Sequence, residues 1–276
     1  MVAPMNTNDS FLNAEMDFGL NMLRQSPITE QLVVSPISIL LALAMVQAGA
    51  RGKTKTEINQ VISNGATDDM IVNYYSNLSK NVLTSKHEVQ TRIANAFFLN
   101  KQFSIEKHFV DTITRNYEAK VEALDFGSAE LTAQKINNFV SDVTEGKIKD
   151  VITEDTVKDT FSLMINAIYF TAKWWNAFDR SSSRNGTFHS SANKQKQIEY
   201  MNEKEVNRYY VEDEDMQALS LPYLDTSYAF NILLPRKRFA LDELRMKLNG
   251  AAIRRVLSQL KSTYISVGKL RSLSQE

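Results

Sequence analysis

Apolar residues recur at two different spacings along this chain, which indicates helices first and strands later. Residues 11–22 repeat apolar positions at the spacing of one helix face. Ser35 and Pro36 precede a second apolar stretch that ends near Gly49. Serine favours the N-cap and proline the first turn, so this pair predicts a helix start. Because apolar residues cover most of its circumference, we expect this helix to be buried.

Strand patterns begin at residues 92–99, which are apolar with little alternation, as expected when both sheet faces are covered. Residues 161–171 are apolar at both sets of alternating positions and predict a central strand covered on both sides. Shorter strands are predicted near 206–211, 218–221, 228–234 and 263–267. A helical pair is predicted at 241–260. No Gly/Ser linker or repeat divides the chain, so we expect one mixed α+β domain over 1–276.

Composition limits the classes of function. The 276 residues are 43% hydrophobic and contain 32 basic and 32 acidic side chains, so no net charge favours nucleic-acid binding. The chain has no cysteine, which excludes disulfides, cysteine zinc sites and a thiol nucleophile. Polar residues at 6–9 occupy the place of a signal peptide's apolar run. We therefore expect a soluble cytoplasmic protein that does not bind membranes, with an extracellular location as the alternative.

Catalytic motifs are weak. Residues 49–54, Gly-Ala-Arg-Gly-Lys-Thr, resemble a phosphate-binding loop, but the required first glycine is replaced by Gln47 and a helical pattern precedes the segment. A tight turn between helices is the expected structure. His87, His108 and His189 are scattered without metal-ligand spacing. We predict no metal, no cofactor and no enzymatic activity.

Two charged runs leave alternatives open. Residues 212–215 are all acidic and could bind a cation or form a solvated turn. The basic residues at 236–238 and 254–255 could contact a sulfated glycan or an acidic partner, or simply face solvent.

Five segments of the sequence carry a family resemblance. They are Val33-Val34-Ser35-Pro36-Ile37-Ser38-Ile39, Ile93-Ala94-Asn95-Ala96-Phe97-Phe98, Ile136-Asn137-Asn138-Phe139-Val140, Asn166-Ala167-Ile168-Tyr169-Phe170 and Leu221-Pro222-Tyr223. In this order they resemble the serpins, a family of serine protease inhibitors. The resemblance implies a fold with N-terminal helices, a large mixed sheet A, and smaller sheets B and C.

The family's activity, by this resemblance, is suicide inhibition of serine proteases and sometimes of cysteine proteases. A cleaved reactive-centre loop inserts into sheet A as a new strand and carries the acylated protease with it. Ser35, Ser38 and Asn166 resemble the shutter region beneath the centre of sheet A. For each of these residues an ordinary role as N-cap, helix hydroxyl or buried amide is equally open. Trp174 resembles the tryptophan at the breach, where the loop enters.

The resemblance ends after residues 262–267, because Gly268 to Glu276 do not continue the family pattern. We therefore expect a serpin domain that is incomplete at its C-terminus, without the reactive-centre loop, the remaining strands of sheet A or the last strands of sheet B. No residue is assigned as the reactive bond, and we expect no inhibition by the chain as written. The alternative is a non-inhibitory interaction protein that associates with itself or a partner through unpaired sheet edges at 91–100 or 161–171.

Overall fold

The structure is a computed structural model that describes residues 7–28, 30–83 and 89–270. The chain divides into two compact units, one within 1–19, 34–86 and 90–171 and the other within 20–33, 87–89 and 172–276. The prediction of a single domain stays a prediction. His87 and the end of the divergent tail, 271–276, lie outside the described residues.

Helices dominate the first half of the chain. Four of them are α1 (Thr7–Gln25), which continues into the second unit, α2 (Pro36–Gly49), α3 (Gly52–Ser63) and α4 (Asp68–Leu83). Ser35 is the N-cap of α2, and its side chain accepts a hydrogen bond from the backbone N–H of Ser38. The predicted helix start at Ser35 and Pro36 is therefore confirmed.

The first unit also contains a three-stranded sheet. Its elements are β1 (Val89–Asn100), α5 (Lys107–Tyr117), β2 (Lys120–Leu124), α6 (Ala129–Val143), α7 (Glu154–Val157) and β3 (Ser162–Ala172). The described strand order is β2-β1-β3. Strands β1 and β2 run parallel, with Ala96 opposite Lys120 and Asn100 opposite Leu124.

Two apolar clusters cover the two faces of this sheet. The α2-side cluster consists of side chains from helices α1 to α5 and from β1, among them Phe11, Leu40, Leu41, Met45, Ile62, Tyr75, Ile93 and Ile113. The α6-side cluster contains Ala96, Phe98, Ala133, Ile136, Val140 and Ile165. Since α6 and the other helices lie on opposite faces, β1 is buried on both sides, as its pattern predicts.

The second unit is built on an antiparallel sheet. Its elements are a 3₁₀ turn (Arg180–Ser182), β4 (Arg184–Ser191), β5 (Lys194–Glu212), β6 (Met216–Pro222), β7 (Ala229–Pro235), α8 (Leu241–Lys247), α9 (Gly250–Ser258) and β8 (Lys261–Leu270). The described order is β4-β5-β6-β7, and β8 also pairs with β5. A third apolar cluster contains Leu20, Met216, Ala218, Leu244, Leu248 and Val256.

The α+β class and most predicted elements are confirmed, but β4 and the first half of β5 were missed. Nearly every residue of β4 is exposed, and so are the first four residues of β5. A two-stranded ribbon without a buried face has no apolar alternation, so its pairing leaves no hydrophobic signal in the sequence.

Candidate functional site at the free edge of β3

The candidate site is the outer edge of β3. The backbone N–H of Asn100, at the end of β1, donates to the carbonyl oxygen of Phe161, just before β3, at 2.9 Å. A hydrogen bond between the end of one strand and the start of the other indicates that the two strands are antiparallel. Within the described part of the chain, β3 has a neighbouring strand on one side only. The predicted central position of residues 161–171 is therefore corrected, since β1 is the middle strand and β3 is an edge strand.

Both faces of β3 are nevertheless covered by the protein. Met164 and Ile168 pack against the α2-side cluster. Leu163, Ile165 and Ala167 pack on the opposite face, against the α6-side cluster. Edge strands in most proteins are short or carry charged residues that discourage further pairing. This edge is apolar, long and uncharged, which favours the addition of another strand.

Asn166 belongs to a chain of hydrogen bonds beneath the sheet. Its Nδ2 donates to Oδ1 of Asn95 at 2.6 Å, and Nδ2 of Asn95 donates to the carbonyl oxygen of Tyr117 at 3.0 Å. Oδ1 of Asn166 is buried and has no hydrogen-bond partner. Asn166 therefore holds β3 to β1 through one half of its amide, while the other half lacks a donor.

Ser35 and Ser38 lie at the start of α2. The Ser35 Oγ accepts from the N–H of Ser38 at 3.3 Å, and Ser38 is buried. Asn166 lies two residues from Met164 and two from Ile168, so all three side chains share one face of β3. Asn166 therefore faces the same cluster to which α2 contributes. In residues 7–28, 30–83 and 89–270, no hydrogen bond joins either serine to Asn166. The structure thus places the three residues on one side of the sheet without linking them directly.

Trp174 lies in the second unit and is the centre of an aromatic group. Its ring stacks on Tyr223 with centroids 4.6 Å apart, and the edges of Phe178 and Phe230 approach it at 6.4 and 6.2 Å. Backbone bonds support the stack, since the N–H of Trp175 donates to the carbonyl oxygen of Pro222 at 3.1 Å. Trp174 is thus fixed by its packing, as expected for a large ring with apolar neighbours.

Asn95 and Asn137 are polar positions that the sequence analysis did not assign. Asn95 is buried within the apolar strand β1 and bonds Asn166. Asn137, on α6, donates from Nδ2 to the Ile152 carbonyl at 2.8 Å and accepts at Oδ1 from the Ile152 N–H at 2.9 Å. This pair of bonds ties the segment before β3 to α6. An amide inside an apolar string is the signal that could have identified Asn95.

The other candidates have structural explanations. The segment 49–54 connects α2 to α3, with Gly52 in the left-handed region at φ +56°, so it is a turn between helices and not a strand-to-helix loop. Within the acidic run, Glu212 pairs with Arg236 at 3.4 Å and Asp215 with Lys247 at 2.7 Å. Two residues of the acidic run are therefore paired with basic side chains, and one of these, Arg236, belongs to the basic run.

Within residues 7–28, 30–83 and 89–270, no group of three or more His, Cys, Asp or Glu side chains could hold a metal ion. None of the helices in these ranges is long and apolar enough to cross a membrane.

Known proteins are similar to this chain in sequence and in fold. Serine protease inhibitor 42Dd of Drosophila melanogaster is 31% identical over 234 residues, which cover 84% of this chain and 63% of that protein. Leukocyte elastase inhibitor of Xenopus laevis is 32% identical over 219 residues, 77% of this chain and 57% of that protein. The chain therefore spans about three fifths of the length of these relatives.

Solved structures match as well. Cleaved Serpin 42Da superposes with a TM-score of 0.87 at 26% identity, covering 97% of this chain and 73% of that one. A thyroxine-binding globulin complex with thyroxine gives a TM-score of 0.85 at 23% identity, covering 94% of this chain and 72% of that one. The family model described as Serpin (serine protease inhibitor) matches residues 13–272. On these grounds the chain belongs to the serpin family.

Proposed function

We propose that this fold serves the inhibition of serine proteases by receiving the strand of a cleaved loop beside β3, and that the described residues alone, which supply no such loop, do not inhibit. The observation that carries the proposal is the free outer edge of β3, whose two faces are already covered. In this proposal the chain is not an enzyme, and its partners are serine proteases, with cysteine proteases as a secondary class. The names of the two inhibitor relatives support this class of partner.

The driving force for insertion would come from backbone pairing. Each N–H and C=O on the outer edge of β3 that gains a partner contributes about 1 kcal/mol net. An added strand would also cover apolar side chains at this edge, including Phe170, which is 39% exposed.

We assign Asn166, Ser35 and Ser38 to the region that an inserting strand displaces. The orphan Oδ1 of Asn166 supports this role because a new strand could supply its donor. Trp174 is proposed as the residue at the point of entry.

A strand supplied separately tests the proposal. We expect a blocked synthetic peptide of Val, Thr and Ala, as long as β3, to raise the melting temperature of this chain by about 5 °C at saturating concentration. The measurement is circular dichroism during heating, with and without peptide. An unchanged melting temperature at every peptide concentration would contradict a receptive edge.

Ile168 offers a matched control. Phe161 points its carbonyl group toward β1, so Ile168, an odd number of residues further along, points its N–H to the outer edge. Ile168→Pro should abolish the peptide effect because it removes this N–H, whereas Ile168→Ala, which loses the same side chain, should keep it. Serine protease added without peptide should digest the chain and form no SDS-stable complex, because every described strand already belongs to a sheet and none is available to insert beside β3.

A second candidate function is a non-inhibitory interaction protein that acts through exposed sheet edges. The apolar edge of β3 favours it, since such edges pair with other chains. We expect light scattering after size-exclusion chromatography to show dimers or larger species at micromolar concentration. Ile168→Pro should shift the chain to monomer while Ile168→Ala does not. A wild-type chain that stays monomeric over the whole concentration range would exclude this function.

A further inference from the structure

Glu15 is a carboxyl group on the buried face of α1. It lies one helical turn after Phe11 and one before Phe18, and both of these side chains pack in the α2-side cluster. Residues at this spacing share one face of a helix. The Glu15 side chain therefore points toward the protein interior and not toward solvent.

Aromatic rings from α4 surround this position. The ring of Phe11 stacks on Tyr74 with centroids 4.1 Å apart, and Tyr75 makes edge contacts with both rings at 5.9 and 5.2 Å. The Tyr74 side chain lies close enough to the Glu15 carboxyl group to influence its pKa. Oε1 of Glu15 is buried and has no hydrogen-bond partner. A carboxylate in this place thus lacks the donors that it needs.

Among the described residues, no basic side chain contributes to the pKa shift of Glu15. From α4 the neighbouring titratable groups are Tyr74 and Tyr75, and the Tyr117 phenol of α5 lies beyond Tyr75. Contacts from α3 are neutral, because Ser10 bonds Ser63 and Asn64.

The pKa values agree with this geometry. Burial raises the pKa of Glu15 to about 7, against the opposing effect of the nearby Tyr74 side chain. Burial, followed by the charge of Glu15, raises the pKa of Tyr74 and of Tyr75. Neither effect on Glu15 involves a basic residue. The carboxyl group therefore changes its charge near neutral pH, where most buried carboxylates are already ionised.

The geometry points to Glu15 as a pH-sensitive latch between α1 and α4. Its neutral form packs between the two helices, and its ionised form, which lacks donors there, loosens their contact as the pH rises.

The direction in which stability changes with pH follows from proton linkage. A carboxyl group that is harder to ionise in the folded state binds more protons there than in the unfolded state. Its contribution to stability is therefore complete below the ordinary pKa of 4.5 and is lost as the pH rises through about 7. The latch is closed at acidic pH and open at alkaline pH.

Amide hydrogen exchange of the α1 backbone tests the latch. After correction for intrinsic rates, protection of residues 7–19 should fall about tenfold between about pH 6 and about pH 8. Glu15→Gln should show equal protection at both pH values, because glutamine does not ionise. Glu57→Gln serves as the matched control, since Glu57 is an exposed residue of α3 paired with Lys53, and it should keep the tenfold change.

A second measurement does not depend on any variant. The side-chain carboxyl carbon of Glu15 in the wild-type chain should titrate near pH 7 by NMR. A midpoint at its ordinary value, or a Glu15→Gln variant that keeps the tenfold loss of protection, would overturn the latch.

Discussion

Replacing Arg208 by methionine should lower the free energy of unfolding by about 3–5 kcal/mol. Arg208, on β5, forms a salt bridge with Glu203, and the two side chains are only 8% and 13% exposed. Nε of Arg208 donates to Oε2 of Glu203 at 3.1 Å, and a second guanidinium nitrogen donates to Oε1. Loss of the arginine leaves a buried carboxylate without its partner, which is costly in a dry environment.

The backbone explains why these two residues meet within one strand. The pairing of β5 with β8 shifts register between Glu203 and Val206, and Glu205 lies there in the left-handed region at φ 56°. The N–H of Glu205 donates to Oγ of Ser266 at 3.3 Å. This bulge lets the Arg208 side chain reach Glu203, so the ion pair also supports the bend in β5.

Chemical denaturation followed by tryptophan fluorescence measures this effect, because Trp174 and Trp175 both lie in the second unit. A double variant with methionine at positions 203 and 208 should recover part of the loss, since neither charge is then left alone. The exposed pair Lys237–Glu243 is the control, and Lys237→Met should cost less than about 1 kcal/mol. A loss at Arg208 no greater than this control would refute the prediction.

Leu41→Ala should destabilise the first unit by about 3–5 kcal/mol. Leu41 is fully buried on α2, in the centre of the α2-side cluster. Its truncation removes apolar contacts and leaves a cavity that rigid neighbours fill only in part. Far-ultraviolet circular dichroism during denaturation measures the change, because helices α2 to α6 lie in this unit.

Ile39→Ala is the matched control for this prediction. Ile39 is on the same helix and is 36% exposed, so its loss should cost about 1 kcal/mol or less. Equal losses for the two variants would contradict the assignment of Leu41 to the centre of the core.

Several elements of the fold were predictable because their signals are local. The N-cap Ser35 and the proline after it specify where α2 begins, through a side-chain hydrogen bond that spans only three residues. The apolar runs of β1 and β3 specify burial on both faces. The ordered strings of the serpin resemblance predicted the family that the comparisons confirm.

The candidate site was only partly predictable. Asn166 and Trp174 were named from the resemblance, but the partners that hold them, Asn95 and Tyr223, lie 71 and 49 residues away in the chain (166 − 95 and 223 − 174). Contacts at such separations leave no periodic signal, and the functional roles of the two residues remain proposals. The central position predicted for residues 161–171 was wrong because covered faces specify burial and not the number of neighbouring strands.

The order of residues by itself determined the helix starts, the buried strands, the absence of cysteine chemistry and the family. Only the tertiary structure decided which of the two predicted edges is free among the described strands, that the Glu15 carboxyl group lies beside tyrosines, and that Arg208 meets Glu203 across a bulge. Helix caps and apolar periodicity arise between near neighbours in the chain. Strand order and the surroundings of a buried charge depend instead on distant segments that come together only on folding.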